Sequence, residues 1–270
     1  MTGTVYMAKF TDWQQVGPLL AMAGLGQALA LARRVLIKPN LVADQPPPMT
    51  TPVALVSEII KFVQQAQPGL EIIVGDGCGS LKYDTTHVFA RQGYTAMATA
   101  TGVTLLDLNV AMPLRHLINP NCRRWPEMYL PELLFDSFII SAPVLKAHSM
   151  AGVTLTMKNM MGAAPPVHYQ QNGHWKKASF HENVQEAVFD LNQYRTPDFT
   201  LLDATVGMAE AHLWGPVCQP PIKRLLAGFD PVAIDACGAG LLGLDWRQID
   251  HIRLAHGLLG QAEPLAIREL

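Results

Sequence analysis

Cysteine is scarce in this chain of 270 residues: Cys78, Cys122, Cys218 and Cys237 are the only four, and no two form a C-x-x-C pair. That spacing excludes zinc-ribbon, ferredoxin and thioredoxin signatures. So few cysteines in a chain of this length also argue against a disulfide framework and for a reducing, cytoplasmic compartment. Charge is scarce too. Lys, Arg, Asp and Glu make up 16% of the residues, against roughly 25% in an ordinary soluble domain, so additional buried surface is expected, as in a homodimer. The formal net charge is −2, and the short basic pairs Arg123-Arg124 and Lys176-Lys177 lie far apart. Without a basic stripe, nucleic acid is excluded as a partner. Long apolar runs are missing as well. The stretch Val16 to Ala32 is apolar, but Pro18, Gly24 and Gly26 interrupt it, Asp12 precedes it and Arg33-Arg34 follow it. It reads as an internal helix and turn, not as a signal peptide or a membrane span of about 20 residues.

What is present is a recurring alternation. Short runs rich in Val, Ile and Leu end in glycine or polar residues, and most precede a helix-like segment. Strands are predicted at Val35-Leu36-Ile37, Glu71 to Val74, Val103 to Leu108, Ser137 to Ala142 and Phe199 to Leu202. Helices are predicted from Pro52 to Gln65, with Thr51 as N-cap and Pro52 at the first helical position, and from Thr85 to Gln92, Glu182 to Tyr194 and Pro231 to Leu242. The order implies an α/β fold with a mostly parallel or mixed sheet and helices on both faces. The chain reads as one domain, 1–270, and the irregular, proline-rich stretch 115–131 marks where two lobes would part.

In such sheets ligands bind beyond the carboxyl ends of the strands. That edge should gather Lys38, Asn40, Asp76, Lys146, His148 and Asp203. Pro39 fixes the backbone after Lys38, so its ammonium and the Asn40 amide can project into a cleft; the bland alternative is a solvated lysine. Gly75-Asp76-Gly77-Cys78-Gly79-Ser80 offers turn N–H groups suited to a phosphate or carboxylate, with Gly77 at its centre, although a plain tight turn explains it nearly as well. Lys146 and His148 are two apart in an extended stretch and share a side, where the lysine would keep the imidazole neutral, free to take a proton or bind a metal. If Val153 to Met161 is helical, Thr154 and Lys158 face one way and Asn159 another, toward a cap at Gly162. Met150, Met157, Met160 and Met161 read as core or cavity lining.

Among the remaining ionisable groups, Asp230 reads as an N-cap, whereas Asp203 and Asp235 are candidates for acid, base or metal ligand. His168, His174 and His181 surround Gly173 at spacings that fit no standard metal site, and His212, His251 and His256 read as surface or structural.

The same positions carry a resemblance. Val35-Leu36-Ile37-Lys38-Pro39-Asn40-Leu41, Val74-Gly75-Asp76, Leu145-Lys146-x-His148, Val153-Thr154-x5-Asn159-x2-Gly162, Leu202-Asp203, Gly215-Pro216 and Asp230-Pro231-Val232-Ala233-x-Asp235 follow one another over nearly the whole chain. In this order they resemble domain-of-unknown-function family 362. The resemblance implies a single α/β unit, often fused to a ferredoxin-like segment with closely spaced cysteines, and it places His181 on a family position. This chain has no such cysteine segment, so no resident iron–sulfur cluster is expected. The family lends no agreed reaction.

The expectation is therefore an enzyme of unassigned class acting on a small carboxylate or phosphate in a strand-edge cleft. Lys38, Asn40, Gly77, Lys146, Thr154, Lys158 and Asn159 would bind the anion, and His148 with Asp76, Asp203 or Asp235 would move protons. Redox chemistry would draw electrons from a partner protein, which makes oxidoreductase-linked activity one form of this expectation. A divalent metal, if one binds, would draw on His148, His181 and Asp203. The alternative is a non-catalytic electron-transfer or metal-delivery accessory protein, for which a shallow surface with separated groups would be expected instead.

Overall fold

A computed structural model describes residues 2–171 and 173–270. Twelve strands are present among them: β1 Gly3–Lys9, β2 Arg34–Pro39, β3 Glu71–Asp76, β4 Thr104–Asp107, β5 Leu114–Ile118, β6 Glu127–Pro131, β7 Phe138–Ala142, β8 Val144–His148, β9 Gly152–Thr154, β10 Phe199–Met208, β11 Arg224–Gly228 and β12 Leu265–Glu269. Ten of them form one sheet in the order β12-β1-β11-β10-β7-β2-β3-β4, with β8 pairing to β10 and β9 off that path; β5 and β6 pair alone. The centre, β10-β7-β2-β3-β4, is parallel, whereas β11 runs antiparallel to both β1 and β10. The architecture is a mixed α/β sheet, as the alternation predicts. The stretch 115–131 is largely the β5–β6 ribbon.

The central strands β2, β3 and β7 are largely apolar because both faces are covered. Along β2, Val35 and Ile37 enter one core and Leu36 the other; Ile140 of β7 and Leu201 of β10 join the first, Ile139 and Leu202 the second. This period of two is the pleat. Helices Val16–Met22, Val53–Ala66, Thr85–Arg91 and Tyr94–Thr101 pack on the first face, and Val184–Tyr194, Pro231–Leu241 and Asp250–Ala255 on the second. Each fully buried Leu, Ile or Val contributes about 1.5–3 kcal/mol.

The helix Val53–Ala66 buries Val56, Ile59, Ile60 and Val63, but its cap differs from the sequence expectation. Pro52 is the N-cap, in extended conformation with no side-chain cap bond. The Thr51 hydroxyl is used elsewhere: it accepts from the Asn40 amide N–H at 2.8 Å and donates to the Ala142 carbonyl at 2.6 Å, tying the ends of β2 and β7 together. Asp230 does cap its helix, accepting from the N–H groups of Val232 and Ala233.

Two further features position the site. β7 and β8 are separated only by Pro143, and they pair in turn with the first and second halves of the long β10. This carries Lys146 and His148 past the ends of the neighbouring strands. The segment from Val153 to Met161 is not one helix: Thr154 ends β9, and a short helix spans Thr156–Asn159. Asp235 holds that helix from below by accepting the N–H groups of Thr156 at 2.8 Å and Met157 at 3.0 Å.

Candidate active site

Beyond the carboxyl ends of β2, β3 and β8 lies a cavity of about 370 Å³. Its lining includes Asn40, Asp76, Gly77, Lys146, His148, Met150, Thr154, Lys158, Asn159 and His181 from the sequence candidates, together with Trp175, Lys177, His212 and Trp214. Three lysines and three histidines thus converge where Asp76 is the single carboxylate in the lining.

That carboxylate is engaged. Lys38 is completely buried, and its ammonium donates to Asp76 Oδ1 at 2.5 Å, while Asp76 Oδ2 accepts the Leu41 N–H at 2.6 Å. Burial lowers the Lys38 pKa even though Asp76 pulls it up. Gly162 closes the pair from above, because a Cβ there would run into Asp76 Oδ1 and Lys38 Nζ. Lys38 is therefore part of the floor, absent from the cavity lining, and does not hold an anion as the sequence led us to expect. Asp76, tied to Lys38 and to backbone, is likewise poorly placed to shuttle protons.

Asn159 joins the floor to the walls, and does not cap Gly162. Its Nδ2 donates to the Lys38 carbonyl and to Ser141 Oγ, and its Oδ1 accepts from Asn40 Nδ2 at 3.2 Å. Asn40 in turn accepts from Lys146, whose ammonium lies 2.8 Å from Asn40 Oδ1 and 2.6 Å from the Met49 carbonyl. Burial, with Lys158 nearby, brings Lys146 down to about 7. Burial alone brings Lys158 to about 8. Lys177 donates to Asn109 Oδ1 and to the Gly77 carbonyl and is also held near 8 by burial. An electropositive, desolvated pocket of this kind favours an anion.

The turn Gly75–Ser80 supplies a wall rather than a cradle. The Cys78 N–H bonds Thr85 Oγ1 and the Gly79 N–H bonds the Val42 carbonyl, so these donors are unavailable to a phosphate. The helix after it is capped by its own Asp84. Gly77 reaches the cavity through close packing instead: a Cβ there would strike Asn109 and the Gly162 carbonyl.

The histidines differ by tautomer. His148 Nδ1 accepts the N–H groups of Met150 at 3.1 Å and Ala151 at 3.2 Å. Facing two donors, Nδ1 must carry the lone pair, so the neutral ring has its proton on Nε2. Nε2 is buried and has no hydrogen-bond partner among the described residues. Burial is the main reason that the His148 pKa falls to about 2, with Lys158 next and Lys146 the weakest contributor. The sequence expectation of a neutral ring is met, but its atoms are reversed: His148 is a donor at Nε2, and its basic nitrogen faces the backbone. His181 is its complement. Its Nδ1 lies 3.2 Å from the Lys177 carbonyl, which can only accept, so Nδ1 carries the proton and Nε2 the lone pair. Burial and Lys158 lower its pKa as well. The His212 ring stacks on His148 with centroids 3.9 Å apart, and its pKa falls to about 3 through burial and then Lys158.

Two expected acids stand elsewhere. Asp203 lies inside β10, not after it, accepts the Thr205 N–H at 2.8 Å, and is absent from the cavity lining. Asp235 is fully buried under the Thr156–Asn159 helix, where burial raises its pKa to about 7. The suggested metal set His148, His181 and Asp203 is therefore not assembled. The His148 tautomer also turns an N–H toward the place where a metal would need a lone pair. No group of three or more His, Cys, Asp or Glu with metal-site geometry occurs among the described residues.

Lys177 and His212 were not singled out from sequence. Lys177 reads as half of a surface basic pair. His212 follows the true end of β10 at Met208, a signal hidden because Asp203 and Thr205 make the strand look finished at Leu202.

Fold and site together define a mixed α/β protein with an electropositive cavity at the strand edge. The chain belongs to the family described as "Domain of unknown function (DUF362)", whose profile matches residues 35–240. No curated protein matches it in sequence. Among solved structures it is similar to the lactate racemase apoprotein from Thermoanaerobacterium thermosaccharolyticum, at 13% identity and a TM-score of 0.46, over 92% of this chain and 58% of that one. The chain thus spans little more than half the length of that protein. No helix among the described residues is long and apolar enough to cross a membrane.

Proposed function

We propose that this protein is an enzyme that binds a small carboxylate or phosphate in the strand-edge cavity and carries out proton transfer on it. The observation that supports this reading is the convergence of Lys146, Lys158 and Lys177 with His148, His181 and His212 on a cavity whose one carboxylate is already neutralised by Lys38. An accessory protein with separated surface groups has no use for such a pocket.

The roles follow from the bonding. The ammonium groups hold the anion and any negative charge that develops in the transition state. His148 offers its Nε2–H to a substrate oxygen and, with Nδ1 occupied, does not act as a base. His181, with Nε2 unprotonated, is the base. Neutral histidines beside lysines are suited to taking a proton from carbon next to a carboxylate or from a hydroxyl group. Asn40 and Asn159 hold the lysines in place, and Asp235 positions the helix that carries Lys158 and Asn159.

Calorimetry with sulfate, phosphate, 2-hydroxy acids and 2-oxo acids tests the binding half, and proton NMR of the same compounds in deuterium oxide tests the catalytic half. Saturable binding with protein-dependent deuterium incorporation, lost in His181→Gln, is the expected result. Absence of anion binding would overturn the reading. Binding without incorporation or other turnover would leave an anion-binding protein and remove the enzyme.

A further inference from the structure

Four lysines are buried at this sheet edge, and three of them have acceptors. Lys38 has Asp76, Lys146 has Asn40 Oδ1 and the Met49 carbonyl, and Lys177 has Asn109 Oδ1 and the Gly77 carbonyl. Lys158 is only 9% exposed and lines the cavity, yet its Nζ has no hydrogen-bond partner among the described residues. Its Nζ is not fully enclosed and opens on the cavity, where the buried surroundings favour the neutral amine over the ammonium. The neutral amine is also a nucleophile.

We propose that Lys158 captures the carbonyl carbon of a small oxo acid or oxo phosphate as an imine, with the anionic end of the compound held by Lys146 and Lys177. The inference rests on the anion-binding reading above and narrows it to a carbonyl-bearing ligand. The division of labour follows from the bonds: Lys146 and Lys177 are held in place by their acceptors, whereas the Lys158 nitrogen makes no such bond and is free to approach a carbonyl carbon. Its backbone is fixed too, because Asp235 anchors the first turn of the Thr156–Asn159 helix. Burial, which brings Lys158 to about 8, leaves roughly a tenth of the amine neutral at pH 7, far more than in an ordinary lysine.

The step balances without an oxidant or reductant. The Lys158 nitrogen lone pair forms the C–N bond while the carbonyl π pair moves to oxygen, within reach of the His148 N–H. His181 Nε2 takes a proton from the attacking nitrogen and returns it to that oxygen. Solvent water supplies a second proton to the resulting hydroxyl, which leaves as water while the nitrogen pair completes the C=N bond, and the iminium nitrogen gives its remaining proton back to solvent. Overall, amine and carbonyl give imine and water.

The experiment treats the full chain with sodium borohydride in the presence of pyruvate, glyoxylate or dihydroxyacetone phosphate, and maps any adduct by peptide mass spectrometry. Binding of the same compounds is measured by calorimetry without reductant. The expected result is one reduced adduct per chain on Lys158, absent from Lys158→Met. If that variant does not fold, the adduct mapped on the unmodified sequence decides. A compound that binds but gives no adduct, or an adduct on Lys146, Lys177 or a surface lysine, would overturn the imine and leave the anion reading intact. Failure of every compound and of sulfate to bind would overturn both.

Discussion

Asp76→Asn separates a structural ion pair from a catalytic carboxylate. The substitution keeps an oxygen for the Leu41 N–H but removes the only carboxylate bonded to Lys38, a side chain with no exposure to solvent. Removing one partner of a buried pair typically costs about 3–5 kcal/mol, because the other charge stays desolvated. In a chain of this size that corresponds to a fall in Tm on the order of 10 °C. The double variant Lys38→Met, Asp76→Asn removes both charges and should recover much of the loss, so the two single effects will not add. Urea unfolding followed by circular dichroism gives all three values. A loss below about 1 kcal/mol in Asp76→Asn, or additivity in the double variant, would refute the reasoning. So would an Asp76→Asn protein of full stability that has lost only turnover.

Other outcomes follow from the same geometry. Lys146 near 7 and Lys158 and Lys177 near 8 must be protonated to hold an anion, so sulfate affinity should fall as pH rises from 7 to 9, with proton uptake on binding visible in buffers of different ionisation enthalpy. Without ligand the sign reverses. These lysines bind fewer protons folded than unfolded, so urea stability should rise with pH between about 7 and 10 until other groups intervene. Nitrogen-15 NMR should find His148 neutral with its proton on Nε2 down to pH 5 and His181 with its proton on Nδ1; a His148 titrating near its ordinary 6.5 would contradict the assignment. Asp235→Ala should loosen the Lys158 helix and weaken sulfate binding tenfold or more, on the order of 1.4 kcal/mol, while Asp235→Asn, which keeps an acceptor, should lose less.

The centre of the fold was legible because buried parallel strands read as continuous apolar runs, and β2, β3 and β7 are of that kind. The antiparallel flank was not. β1, β11 and β12 come from terminal or proline-flanked segments, and β12 is a partly exposed edge with polar residues in its pattern. At the site, Asn40, Asp76, Lys146 and His148 could be placed together because each follows or ends a strand. Lys38 and Asp76 could not be recognised as partners of each other, since nothing in either strand specifies which ends meet. The His148 tautomer depends on two backbone N–H groups in the turn at Met150 and Ala151, which no side-chain pattern encodes. Asp203 was misplaced for a different reason: a polar residue can lie inside a strand when its carboxylate bonds its own chain two residues on.

The passage from β7 into β8 leaves the protein sensitive to parity. Around Pro143 one continuous backbone stays paired to β10 while changing neighbours, and alternate residues keep to their faces: Leu145 goes to the core, Lys146 and His148 to the cavity. Adding or deleting one residue between Pro143 and Leu145 would exchange those faces, putting an ammonium among aliphatic side chains and leucine at the anion site. Adding two would restore the faces and displace only the ends. Chain length at this one joint therefore counts in odd and even.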